Sequence, residues 1–224
     1  GNIKLDIEPA PWNPLERDIL LQRLNITADD RILVAGSTHE GEEEIILDVF
    51  KRLKQEFSSL RLIIAPRHPE RFNDVERLVK EREFPMIRRS SIISDFGFRI
   101  SDLKSQISNL KSQIPNPDVI LLDTIGELCN FYSIATVAFV GGTLVDIGGH
   151  NLLEPAFYKK PVIYGHYLKS YAEMADMLET AGGGIRVENG EGFWKWAKQL
   201  LRDEAYRQRV GNAAYRVVEA NGGA

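Results

Sequence analysis

The sequence predicts a doubly wound α/β domain, a parallel sheet with helices on both faces. Two observations carry this. Short uninterrupted apolar runs recur along the chain, and amphipathic stretches with helical spacing separate most of them. Strands covered on both faces lose the in-out alternation of a half-exposed sheet and become continuously apolar.

The runs are RILVAG (31–36), LRLIIAP (60–66), DVILLD (118–123), VAFVGG (137–142), PVIYG (161–165) and GGIRV (183–187). After the first, Ile45, Ile46, Val49, Phe50, Leu53 and Phe57 form one helical stripe, and Glu42–Glu44 occupy its first turn, where the helix dipole favours negative charge. A last helix is expected at about 204–220. The near-duplicate heptads ISDLKSQ (100–106) and ISNLKSQ (107–113) break the pattern. Two heptads are too few for a stable coiled coil, so they predict an inserted surface helix or excursion at about 94–117, ended by Pro115 and Pro117. The expected organisation is an entry segment and lead-in helix over 1–30, then a Rossmann-like domain over 31–224.

Composition narrows the function. A net charge of −4 disfavours general nucleic-acid binding. The single cysteine, Cys129, excludes an internal disulfide framework. No apolar run approaches the roughly 18–20 residues needed to span a bilayer, so no direct membrane insertion is expected. Neither GxGxxG nor GxxxxGK[ST] occurs, which removes support for a nicotinamide enzyme or a P-loop nucleotidase. No histidine pair shows metal-ligand spacing, and no metal or cofactor is expected.

Doubly wound sheets bind ligands beyond the carboxyl ends of their strands. All four histidines, His39, His68, His150 and His166, fall in such loops. In GSTHEGEEE (36–44), Ser37 and Thr38 offer hydroxyls ahead of a helix N-terminus, which suits either an anion or a plain cap. In APRHPERF (65–72), Arg67 and His68 are donors for phosphate or carboxylate, and Pro69 can open the next helix. Asp123 and Thr124 suit either a cap on the helix after DVILLD or direct ligand contact, and Gly126 allows close packing or close ligand approach. The most specific loop is FVGGTLVDIGGHNLLEPA (139–156). Its pairs Gly141-Gly142 and Gly148-Gly149 can gather backbone N–H groups into an anion-binding nest, and Glu154 lies in the first turn of the helix that follows. Cys129 has no partnered histidine nearby in sequence, so no catalytic triad is expected.

Together these segments resemble the Kdo (3-deoxy-D-manno-octulosonic acid) transferase family, which has the GT-B fold. GNIKLD (1–6), STHEGEEE (37–44), PRHPERF (66–72), DTIGEL (123–128), FVGGTLVDIGGHNLLEPA (139–156) and PVIYG (161–165) follow the family's order. The resemblance implies the C-terminal, donor-binding half of such an enzyme, beginning at the domain junction, which makes the 1–30 entry segment interdomain. Its donor would be CMP-Kdo, and its acceptor a lipid A precursor approached through an N-terminal domain outside this chain. It implies that Arg67 and His68 contact CMP, with Ser37 and Thr38 close by. Gly141, Gly142, Thr143, Gly148, Gly149, His150 and Asn151 would surround phosphate and sugar, and Glu154 would bind ribose hydroxyls. The inverting reaction's general base would be a glutamate of the other domain, so no catalytic residue is expected here. The full protein would work on the cytoplasmic side of the bacterial inner membrane. Two features depart from the family pattern, the 100–114 repeat and GHYLKSYAEM after Tyr164, and the second leaves His166 and Lys169 unassigned. Two other readings remain: a GT-B transferase or epimerase using a UDP-sugar, and a non-catalytic nucleotide- or carbohydrate-binding module.

Overall fold

A computed structural model of the protein describes residues 12–93 and 116–221. GNIKLD and the 100–114 repeat lie outside the described residues. The chain forms the parallel sheet β3-β4-β2-β1-β5-β6-β7, with β1 Arg31–Thr38, β2 Leu60–Pro66, β3 Met86–Arg88, β4 Val119–Leu121, β5 Val137–Val140, β6 Val162–Tyr164 and β7 Gly184–Arg186. Every strand pairing is parallel.

Six of the strands lie within the apolar runs or extend them. The edge strand β3 does not. Its three half-buried residues, bounded by Pro85 and Arg89, are too few to make a pattern.

Continuous apolarity still hides an alternation. Leu33 and Ala35 face one layer with Leu62, Ile64 and Phe139, whereas Ile32 and Val34 face the other with Ile63, Ala65 and Ala138. The first layer is closed by α2 (Glu42–Glu56), α3 (Phe72–Glu81) and α8 (Gly190–Arg202), and α2 contributes Ile46, Val49, Phe50 and Leu53. The second is closed by α1 (Pro14–Arg23) and α5 (Leu128–Ile134) through Leu20, Phe131 and Tyr132. A third cluster packs β6 against α6 (Leu153–Phe157), α7 (Ala172–Ala181) and α9 (Glu204–Asn221). A one-turn helix, α4 (Ser90–Ile93), follows β3.

One charge interrupts the β2 run. Arg61 is buried, pairs with Asp30 at 3.1 Å, and donates to the carbonyls of Asn25 and Pro117 and to Asn116 Oδ1. It fastens the loop after α1 to the point where the chain re-enters the sheet. Replacing it with alanine would take the cation from a buried carboxylate, leaving it only its bonds from Thr27, and remove a donor from three acceptors, a loss on the order of 3 kcal/mol.

Candidate nucleotide site

Strand β1 lies between β2 and β5, so the connections after β1 and β5 diverge at the carboxyl edge. Such a switch point is where open α/β sheets place ligands. Here the two strand ends touch backbone to backbone. A Cβ on Gly141 would lie 2.4 Å from the Ser37 carbonyl oxygen, which only glycine permits. Ser37 itself holds a positive φ of 55°, where the β1–β2 register shifts.

The glycine nest forms, and the anion in it belongs to the chain. The Glu42 carboxylate accepts from the backbone N–H groups of Gly142 (2.6 Å), Thr143 (2.9 Å), Leu144 (2.8 Å) and His39 (3.2 Å), and Glu42 is fully buried. Burial pushes this carboxyl above its ordinary range, and the four N–H donors oppose the shift. The second glycine pair is also committed, because Gly148 and Gly149 donate to the Gly142 carbonyl at 3.2 and 2.8 Å. Beside Glu42, Glu43 accepts from Thr38 Oγ1 (3.3 Å) and Arg71 (3.2 Å), and burial raises it to about 7 against the pull of Arg71.

Three of the four histidines converge over this nest. His39 Nε2 lies 2.7 Å from His150 Nε2, with the rings nearly coplanar and centroids 5.0 Å apart, and the His68 ring meets His39 edge-on at 5.3 Å. The short Nε2 contact requires one ring nitrogen to donate and the other to accept, so both imidazoles cannot be charged. Burial, then His39, Arg67 and His68, lowers His150 to about 4. His39 is lowered by burial first, then by His68, Arg67 and Arg71. Both shifts favour the neutral imidazole. His166 stays apart, packed on Tyr167 and 3.6 Å from Glu188, while Lys169 pairs with Asp146 at 2.7 Å. Among the described residues, no group of three or more His, Cys, Asp or Glu is arranged to hold a metal ion.

The open feature lies on the β2–β4 side. A cleft of about 320 Å³ is walled by Pro66, Phe72, Leu122 and Leu128, with Arg67 and His68 at its polar edge and Ser37 also lining it. The Arg67 N–H binds the Thr38 carbonyl at 3.0 Å, which seats this loop on β1. Residues 123–127 form the opposite rim. Asp123 accepts from Ser90 N and Oγ rather than capping the helix that follows, because α5 starts only at Leu128 and Asp123 instead caps the turn into α4. Thr124 binds Glu127, which Arg89 holds at 2.8 Å. Ile125 projects from the rim, 85% exposed.

Glu154 on α6 reaches across to α5. It is partly buried, hydrogen-bonded to Cys129 and close enough to Arg67 to be stabilised by it, although burial dominates and raises its carboxyl. Burial and Glu154 together push the Cys129 thiol up to about 12, so it is no nucleophile.

Of the residues singled out in the sequence, Ser37, Arg67 and His68 line the cleft, His150 joins the histidine cluster, and Glu154 feels the charge of Arg67 without lining the cleft. Thr38 and Thr143 are fully buried. The Thr143 hydroxyl donates to the Val140 carbonyl (2.7 Å) and accepts from Gly165 N (2.8 Å), while Asn151 Oδ1 accepts from Leu153 N. These three side chains build the loops rather than the cleft. Sequence reasoning missed Glu42, Glu43 and Arg71. The only local sign of them was an acidic triplet directly after Gly41.

The frame gives the fold class: a parallel, helix-covered sheet of this order matches the C-terminal Rossmann-like domain of GT-B glycosyltransferases. The C-terminal CMP-Kdo binding domain of WaaA from Acinetobacter baumannii superposes with a TM-score of 0.76, covering 92% of this chain and 97% of that one at 24% identity. In sequence, the chain belongs to the 3-deoxy-D-manno-octulosonic acid transferase family. It is 38% identical over 225 residues to the transferase of Haemophilus influenzae, across 100% of this chain and 48% of that protein. It is 43% identical over 212 residues to a bifunctional glycosyltransferase/methyltransferase of Fusobacterium nucleatum, across 95% of this chain and 30% of that protein. The chain thus spans about half or less of the curated relatives it matches. No protein-family model matches it. Among the described residues, no helix is long and apolar enough to cross a membrane.

Proposed function

We propose that this chain is the donor-binding half of a Kdo transferase and holds CMP-Kdo at the carboxyl edge of its sheet. The observation that carries the reading is the cleft at Arg67 and His68. Apolar walls suit a pyrimidine base and ribose, and the guanidinium and imidazole at its edge suit a phosphate. Glu154, partly buried beside Arg67, is the acceptor for ribose hydroxyls. The family relationship supports CMP over other nucleotides and Kdo as the sugar.

Transfer of Kdo to a lipid A precursor needs a base within hydrogen-bond reach of the acceptor hydroxyl and donors for the charge developing on the leaving CMP. Arg67 and His68 supply the second. The base and the acceptor site belong to an N-terminal domain, and the complete enzyme acts on the cytoplasmic face of the inner membrane. This chain alone binds donor and transfers nothing.

Thermal unfolding with CMP, UDP and no ligand, backed by calorimetric titration, tests the proposal. At about 100 times the dissociation constant, one-site binding adds roughly 2.7 kcal/mol. That is on the order of 5–10 °C for a domain of this size. The expected result is a shift with CMP that is absent with UDP and lost in Arg67→Ala and Glu154→Ala. A response to UDP alone would move the assignment to a uridine-linked donor. Indifference to both would overturn it.

A further inference from the structure

A carboxylate that fills four backbone N–H donors and has no exposed surface cannot meet a ligand, yet its partners hold the backbone on which the histidine pair stands. The Glu42 contacts span both strand ends at the switch point: His39 after β1, and Gly142, Thr143 and Leu144 after β5. From Gly142 the linkage continues. Its carbonyl accepts from Gly148 and Gly149, which lead directly into His150. A Cβ on Gly142 would lie 3.2 Å from the His150 ring and 3.4 Å from the His39 ring. One carboxylate therefore fixes the backbone beneath both members of the 2.7 Å histidine pair.

We propose that Glu42 is a positioning residue, an internal anion that closes the β5 glycine nest to ligands and sets the His39–His150 pair beside Arg67 and His68. The donor-site part of this rests on the reading above. It follows that a donor phosphate is held by side chains at the Arg67–His68 edge and not by the first glycine pair. The geometry needs both carboxylate oxygens as acceptors. Thr143 and Leu144 donate to one, and Gly142 and His39 to the other. A glutamine keeps the reach but presents an NH2 to one of those donor sets, which repels it.

The test is Glu42→Gln, read by imidazole NMR titration of His39 and His150 in the unliganded protein. Their titrations also respond to His68, Arg67 and Arg71, which the substitution leaves in place. With the Nε2 contact loosened, the His150 titration is expected to move up by about one pH unit or more, toward the ordinary imidazole range. CMP affinity is expected to fall at least about tenfold. A folded Glu42→Gln protein with both titrations unchanged overturns the proposal. Should that variant not fold, amide exchange in the unsubstituted protein decides. The Gly142, Thr143 and Leu144 amides are expected to exchange at least about a hundredfold more slowly than those of exposed loops, and exchange at loop rates overturns the proposal. A protein that fails to bind CMP counts against the donor reading alone, because the histidine titration still decides whether Glu42 positions the pair.

Discussion

Two regions at the carboxyl edge of the sheet offer groups suited to an anion, and they resolve in opposite ways. Around β1 and β5, backbone N–H groups converge and Glu42, from the same chain, satisfies them. Around β2 and β4, Arg67 and His68 stand at an open cleft. The first region behaves as core and the second stays open as a candidate site. A glycine nest is therefore a statement about backbone donors, and its occupant depends on which carboxylate the fold brings to it. Substitutions in the inner region should act on stability and pH response, and those at the outer cleft on ligand binding.

The largest stability effect is expected at Gly141. A methyl group there would sit 2.4 Å from the Ser37 carbonyl oxygen and 2.7 Å from Thr38 Cα, both backbone atoms that cannot rotate away. Gly141→Ala should cost about 3 kcal/mol or more, lowering Tm by roughly 6–12 °C. A loss below about 1 kcal/mol in urea unfolding would break the view of this region as core.

The two titrating groups of the inner region should then pull stability in opposite directions. His150 is depressed to about 4 when folded, so its contribution is present above the unfolded value near 6.5 and lost as pH falls toward 4. Solvent screens part of this for a partly exposed ring, leaving roughly 2 kcal/mol. His150→Gln should flatten that acid limb. Glu43 is raised to about 7, so its contribution is present below about 4.5 and lost as pH rises through 7. The stability of the parent relative to Glu43→Gln should therefore decline by roughly 1–2 kcal/mol between pH 5 and 8. Parallel pH profiles for the parent and these variants would show that the region does not hold its groups as described.

How legible this was in the sequence differs between the same two regions. The strands were legible because burial on both faces makes them continuously apolar, and α2 because its stripe is long. Ser37, Arg67 and His68 could be found because strand ends locate a cleft whatever lies inside it. Glu42 could not. Glu42, Glu43 and Glu44 read alike as first-turn acids, and what turns Glu42 inward is a loop a hundred residues later in the chain. Asp123 failed for a related reason: its partner Ser90 follows β3, a strand too short to predict. Local pattern locates an edge, but long-range hydrogen bonds decide which polar groups there remain open.

The smallest effect sharpens the contrast most. Ile125 is 85% exposed on the rim of the cleft, and nothing lies within 4 Å of a Cβ placed on the neighbouring Gly126. Removing its apolar surface should change stability by no more than about 0.5 kcal/mol, as for other surface positions without special contacts. A nucleotide in the cleft would cover part of that side chain. At roughly 25 cal/mol per Å², covering 20–40 Å² contributes about 0.5–1 kcal/mol, or a two- to fivefold change in affinity. Ile125→Ser should therefore leave Tm in place and weaken CMP binding a few-fold by calorimetry. A fall in Tm would assign the rim to the core, and unaltered affinity would place the bound base away from it.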